Sequence, residues 1–239
     1  MTERGTLYAG TSGFAYAEWK GSFYPDDLPQ TRFLDHYATR LPAVEINYTF
    51  RRYPADATLE KWSAKTPASF RFALKANQRI THTLRLRDAD EAVGAFLERA
   101  RTLGDRLGPI LFQCPPSLRY DRGLLASFLA YLPPTFPAAF EFRHPSWAEA
   151  RDLIAEQGAA WCDAETDERS PEGISPGPFA YLRLRKEAYA EDDLERWADR
   201  IADALAEGRD VYAFLKHEEG GAAPRWAEQL ADLVRARTP

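Results

Sequence analysis

Short apolar or aromatic runs recur along the chain at 7–10, 43–47, 70–75, 110–113, 139–143, 159–163, 179–183 and 211–214. Each has the length of a strand, and most pairs are separated by enough residues for a helix. Helical spacing fills several of those gaps. Val93, Phe96, Leu97, Ala100 and Leu103 fall on one face, as do Leu124, Leu125, Phe128 and Leu132. Trp197, Ile201, Ala204 and Leu205 make a stripe closed by Gly208, and Trp226, Leu230 and Leu233 make the last. Ser146-Trp147-Ala148-Glu149 reads as a capping box that opens another helix, with Gly158 placed to end it. Residues 165–178 hold three prolines and two glycines, which predicts a long irregular loop after the sixth strand.

Strands that alternate with helices pair in parallel, so the pattern predicts an α/β fold. A doubly wound open sheet is one way to arrange eight such units. The first βα turn, Gly10-Thr11-Ser12-Gly13, lacks the spaced glycines of a dinucleotide fold, which favours a closed TIM-type eight-stranded parallel β/α barrel. No repeat, low-complexity tract or linker divides the chain, and 239 residues suit one barrel domain over 1–239.

Composition narrows the function classes. Hydrophobic residues are 45% of the chain and aromatics 13%, enough for a large core. A net charge of -5 disfavours a protein that coats nucleic acid through a general positive field. No apolar run has the length of a membrane span and no signal-peptide pattern follows Met1, so a cytoplasmic protein without a membrane partner is expected. The two cysteines, Cys114 and Cys162, lie in apolar segments and read as small core residues.

The strand ends are chemically unequal. Pro42, Gly108, Pro137, Gly158 and Pro178 stand at the approaches, whereas the carboxyl ends carry Thr11, Ser12, Glu45, Asn47, Lys75, Gln113, Glu141, Arg143, Asp163, Arg183, Lys216 and His217. In a β/α barrel those ends form the mouth where ligands bind. Alternation puts Glu45 and Asn47 on one face of their strand, and Glu141 and Arg143 on one face of theirs. Mutual ion pairing across the barrel top is the plain explanation, but buried ion pairs are poor stabilisers, so their number points to function. Only 6 of the 31 basic residues are Lys, yet Lys75 and Lys216 both sit at strand ends. A lysine there serves as a cation for a phosphate or carboxylate, or as a base when its pKa is depressed.

Several segments in order along the chain resemble the YecE-like family, numbered 72 among the domains of unknown function. They include Gly10-Thr11-Ser12-Gly13-Phe14 with Tyr16, Trp19, Gly21 and Phe23-Tyr24-Pro25; Val44-Glu45-Ile46-Asn47 with Thr49-Phe50 and Pro54; and Trp62. Further along are Lys75 with Ile80-Thr81-His82, Leu111-Phe112-Gln113 before Pro115-Pro116, Glu141-Phe142-Arg143-His144-Pro145-Ser146-Trp147, and Tyr181-Leu182-Arg183. The resemblance implies a β/α barrel and assigns no biochemical activity. The chain departs from the family pattern at Phe50-Arg51-Arg52, Arg185-Lys186 and Leu215-Lys216-His217-Glu218, which makes the mouth more basic than in a typical relative.

The leading expectation is a metal-independent and cofactor-free hydrolase or isomerase acting on a small phosphate- or carboxylate-bearing anion. Glu45 and Glu141 would form an acid/base pair with their pKa values driven apart. Lys75, Arg143 and Arg183 would hold the anion, with Ser12, Asn47, Gln113, Asp163, Tyr16 and Trp19 lining the site. Lys75 as an imine-forming nucleophile is a variant of this reading. A metal centre would recruit Glu45, Glu141, Asp163, His144 and His217, but the four histidines fall in no metal-binding pattern; His36 and His82 read as ordinary polar positions. Phe14, Tyr16, Trp19, Phe23, Tyr24, Tyr48, Phe50 and Tyr53 either stack a ligand or pack the loops. Together with Arg51, Arg52, Arg79, Arg85 and Arg87 they offer a nucleic-acid rim as the alternative reading, and a non-catalytic small-ligand sensor is a third. Nothing in the sequence sets the oligomeric state.

Overall fold

The computed structural model describes residues 3–216 and 220–238. Eight parallel strands close into a barrel in sequence order: β1 (Leu7–Ser12), β2 (Ala43–Ile46), β3 (Arg71–Lys75), β4 (Leu107–Cys114), β5 (Ala138–Phe142), β6 (Ala160–Glu165), β7 (Phe179–Leu184) and β8 (Asp210–Leu215). Among the described residues seven α-helices pack outside: α1 (Phe33–Arg40), α2 (Asp56–Ala64), α3 (Asp90–Ala100), α4 (Arg122–Leu129), α5 (Arg151–Glu156), α6 (Glu191–Ala206) and α7 (Ala222–Arg237). All eight expected strands form, and the TIM-type class is established. Between β6 and β7 the chain runs without a helix, as the prolines of that segment demand.

Strand alternation sorts the side chains into two compartments. Facing outward, Val44, Phe72, Phe112, Phe140 and Leu182 join the core between sheet and helices. Facing inward, Ala43, Ala73, Leu111, Ala139, Ala160, Cys162, Tyr181 and Phe214 fill the barrel. Small residues on β2, β3, β5 and β6 leave room for the rings contributed by β7 and β8. Below them Tyr8 and Tyr212 stack with centroids 4.7 Å apart. The barrel interior is thus a packed core rather than a channel. Both cysteines are buried and unpaired, and burial pushes both thiols up.

The helix expected to open at Ser146 begins differently. His144 takes the capping position and its ring nitrogen accepts from the Ser146 amide, while residues 145–150 form tight 3-10 turns before α5. Ser146 Oγ instead receives the Tyr120 amide at 2.9 Å, binding this turn to the loop before α4. Stacking decides the geometry: Trp147 lies flat against Phe142 at 3.7 Å and donates its indole N–H to the Leu118 carbonyl. Gly158 and Gly208 do follow α5 and α6, at φ 72° and 83°.

The registry of β1 on β2 pairs Gly10 with Ala43. A Cβ on Gly10 would fall 1.9 Å from the Ala43 carbonyl oxygen, so no side chain fits without separating the two strands. Gly10→Ala is therefore expected to destabilise the fold by about 1–3 kcal/mol, the usual cost of overpacking. Urea denaturation checks this, and an unchanged midpoint would refute the close approach.

Candidate functional site

Two residues beyond the inward-facing members of the barrel core, the chemistry changes. Ala43 is followed on the same face by Glu45, Ala73 by Lys75, Leu111 by Gln113, Ala139 by Glu141 and Tyr181 by Arg183. These side chains form one polar layer across the barrel mouth.

Arg183 is its centre and is 2% exposed. Its Nη1 donates to Glu141 Oε2 at 2.6 Å and its Nη2 to Glu45 Oε1 at 2.8 Å. The fully buried Glu45 also accepts from Ser12 Oγ at 2.8 Å, Tyr181 Oη at 2.8 Å and Asn47 Nδ2 at 3.2 Å. Glu141 accepts from both Gln113 Nε2, at 2.8 and 2.9 Å to its two oxygens, and Arg143 Nε at 3.0 Å. Gln113 turns its oxygen to Lys75, whose Nζ donates to it at 2.7 Å. A continuous hydrogen-bonded chain therefore runs from Ser12 to Lys75 through both carboxylates.

This geometry corrects the expected acid/base pairing of Glu45 and Glu141. Burial is the largest single influence and raises both carboxyls, but Arg183 outweighs it with the help of Arg185 and Tyr181 at Glu45 and of Arg143 and Gln113 at Glu141. Glu45 falls below the usual carboxylate range and Glu141 falls to about 2. The same guanidinium holds both ionised, so their pKa values are not driven apart. Arg183 in turn is held by two carboxylates and is not a free anion clamp.

Lys75 behaves differently. Burial first, then the charge of Arg183, lowers its ammonium pKa to about 8. Its Nζ lies 4.1 Å from the centroid of Phe50, which forms the other side of its niche. The ring of His82, on a single π-helical turn (Arg79–Thr83), meets Phe50 edge-on at 5.0 Å. Burial and the charges of Lys75 and Arg143 depress the His82 pKa, so the imidazole is neutral at pH 7. His82 belongs to the mouth rather than to an ordinary loop surface. A strained stretch follows, in which Arg85, Leu86 and Asp88 all have positive φ.

Two other expected ligand contacts are placed elsewhere. Trp19 is fully buried among Phe23, Tyr24 and Tyr16, so it packs the loop after β1 and presents no surface to a substrate. Asp163 follows the inward-facing Cys162 and so points the other way; its two oxygens accept from the Ser175 amide and hydroxyl, both at 2.7 Å. It anchors the loop after β6, and burial raises its pKa. Tyr16 remains at the mouth, donating to the Ser12 carbonyl and lining an apolar cleft of about 360 Å³ with Phe14, Asn47, Tyr48 and Trp62. His217 and Glu218 lie outside the described residues.

Sequence reasoning missed Tyr181 and Arg185 as site residues, although both share the face of Arg183 at two-residue spacing. It also missed Arg151 and Arg169, which approach from α5 and from the loop after β6. Together with Arg143 and Arg185 they line a cavity of about 390 Å³ beside the polar layer. Glu45, Glu141, Asp163 and His144 do not converge; among the described residues no group of three or more His, Cys, Asp or Glu is placed to hold a metal ion. Among them, too, no helix is long and apolar enough to cross a membrane.

A closed parallel barrel with its ionisable groups on the inner face at one mouth defines a β/α-barrel protein of the TIM type. The chain belongs to the family described as "Protein of unknown function DUF72", whose profile matches residues 8–239. It is 22% identical to the UPF0759 protein YunF of Bacillus subtilis over 95% of this chain and 94% of that one. To the UPF0759 protein YecE of Escherichia coli it is 33% identical over 115 residues, which cover 48% of this chain and 42% of YecE. The crystal structure of a DUF72 family protein from Thermotoga maritima superposes with a TM-score of 0.84 at 26% identity, covering 96% of this chain and 99% of that one. One from Enterococcus faecalis gives 0.80 at 17% identity, covering 96% of both chains.

Two outcomes follow from the Arg183 bridge. Arg183→Met leaves two buried carboxylates facing each other and is expected to cost about 3–5 kcal/mol in chemical denaturation; adding Glu45→Gln and Glu141→Gln should recover much of it. A cost under about 1 kcal/mol would show that the bridge is not needed. The second concerns acid. With the Glu141 carboxyl at about 2 in the folded protein, below its unfolded value, its stabilisation is complete above pH ~4.5 and is lost as pH falls towards 2. The stability difference between the native chain and Glu141→Gln, measured from pH 6 downward, should shrink across that window; a difference independent of pH would contradict it.

Proposed function

We propose that the chain is an enzyme that binds a small anionic substrate at the barrel mouth and uses Lys75 to move a proton, in a metal-independent isomerase- or hydrolase-type reaction. One observation carries the reading. Lys75 is a half-buried amine with a pKa of about 8, held by Gln113 and Phe50 beside a buried ion-pair layer. A base poised near the working pH is what general acid/base catalysis needs. A second argument concerns charge: two ionised carboxylates face Arg183, Arg143, Arg185 and Lys75, so cations are in excess and favour an anionic ligand. Glu45 and Glu141 then act as fixed negative charges that position Arg183 and Gln113, and His82 adds an imidazole packed edge-on against the Phe50 ring that borders the amine.

The nucleic-acid reading has less support. Of the rim arginines, Arg85 donates twice to Ser117 and Arg87 pairs with Asp121. Arg51, Arg52 and Arg79 stay exposed.

The amine is testable without a substrate. Acetic anhydride labelling across pH 7–10, read by mass spectrometry, should half-label Lys75 near pH 8, well below the ordinary lysine value. The midpoint should move towards the ordinary lysine value in Glu141-preserving Phe50→Ala, which opens the niche to water. An ordinary midpoint for Lys75 in the native chain would sink the proposal. Once a substrate is known, Lys75→Ala should abolish turnover while retaining binding, whereas binding with no turnover by the native chain would make this a sensor.

A further inference from the structure

The hydrogen-bonded pairing of β5 with β6 ends at Phe140 and Trp161, yet β5 runs on to Phe142 and β6 to Glu165. The strands part at the mouth, and the arginine-lined cavity of about 390 Å³ opens in the gap. Four guanidiniums reach it from four segments: Arg143 just past β5, Arg151 at the start of α5, Arg169 in the loop after β6 and Arg185 just past β7. The acidic side chains in its wall are accounted for. Glu141 is held by Arg183, Arg143 and Gln113, Asp163 is held by Ser175, and Glu168 is exposed at the rim.

Four like charges around one cavity repel one another, and an anionic acceptor between them offsets that repulsion. Two of the four arginines also carry a buried nitrogen with no hydrogen-bond partner among the described residues, Arg151 Nε and Arg185 Nη1. The shape of the acceptor follows from the directions of approach. A planar carboxylate is satisfied by a single guanidinium fork, whereas a tetrahedral oxyanion takes donors from several sides at once. A phosphate monoester also carries about -1.5 to -2 at pH 7, which suits several arginines around one cavity. Of the four arginines only Arg185 comes from the loops after strands 7 and 8 where barrel enzymes frequently hold phosphate.

We propose that this cavity is the docking site for the phosphate group of the substrate, so that the substrate class is a phosphorylated small molecule. The proposal rests on the reading of the mouth as an anion-binding site and makes it specific. Arg143 borders both regions: it lines the cavity and binds Glu141, which Gln113 links to Lys75. A phosphate seated among the arginines would therefore extend the rest of its molecule over Glu141 towards the amine.

The test is isothermal titration of the native chain, Arg151→Gln, Arg169→Gln and Lys75→Ala with inorganic phosphate and, separately, with malonate. Arg169 is exposed, so its variant guards against a folding defect in Arg151→Gln, and circular dichroism checks both. Phosphate should bind the native chain and Lys75→Ala alike, and about tenfold or more weakly in each arginine variant, the loss of one charge-assisted bond. Equal phosphate binding in all four proteins would overturn the proposal, as would none at concentrations on the order of 10 mM. Malonate binding that survives both arginine substitutions but not Lys75→Ala would remove the phosphate site and leave the anionic substrate standing. Failure of every anion to bind would remove both.

Discussion

A carboxylate cannot be taken out of water alone, and this barrel takes two. Glu45 and Glu141 come from strands on different sides of the mouth, and each is nearly or wholly inaccessible to solvent. What permits this is the planar fork of Arg183, whose two terminal nitrogens face two different acids. Lysine, a single point charge, would not span them. Every other polar group in the layer follows from that bridge. Ser12, Asn47 and Tyr181 satisfy the remaining lone pairs of Glu45, and Gln113 with Arg143 does the same for Glu141. The bridge also limits what the layer can do: carboxylates committed to a guanidinium are poor proton donors, which leaves the amine at its edge as the group whose pKa is lowered towards neutrality.

The barrel was legible because its cause is local. Apolar runs of strand length and intervening helical stripes are short-range patterns, and closure in sequence order needs only that consecutive units pair. The polar layer was half legible for the same reason, since two-residue spacing places Glu45, Lys75, Gln113, Glu141 and Arg183 two steps beyond core residues on the same face. That rule, applied one strand further, also places Asp163 on the opposite face from Cys162, and it puts Tyr181 and Arg185 with Arg183.

Other features depend on contacts that spacing cannot reveal. Whether Glu141 is an acid or a fixed charge is decided by an arginine 42 positions away, and for Glu45 by the same residue 138 positions away. Arg151 and Arg169 reach the mouth from a helix start and an irregular loop, where no periodicity assigns a direction. Trp19 shows the opposite error: an aromatic beside a candidate site is most often there to hold its loop, and full burial makes that the outcome.

The amide of Gln113 has a fixed sense. Its NH2 group is pinned by two carboxylate oxygens, so its oxygen must face Lys75 and can only accept. When Lys75 gives up its proton, one remaining N–H still points at that oxygen and the second is drawn to the face of Phe50. The lone pair then has neither neighbour as its partner and is directed away from both. A glutamine that never titrates thereby sets the heading of the electron pair on the group that does.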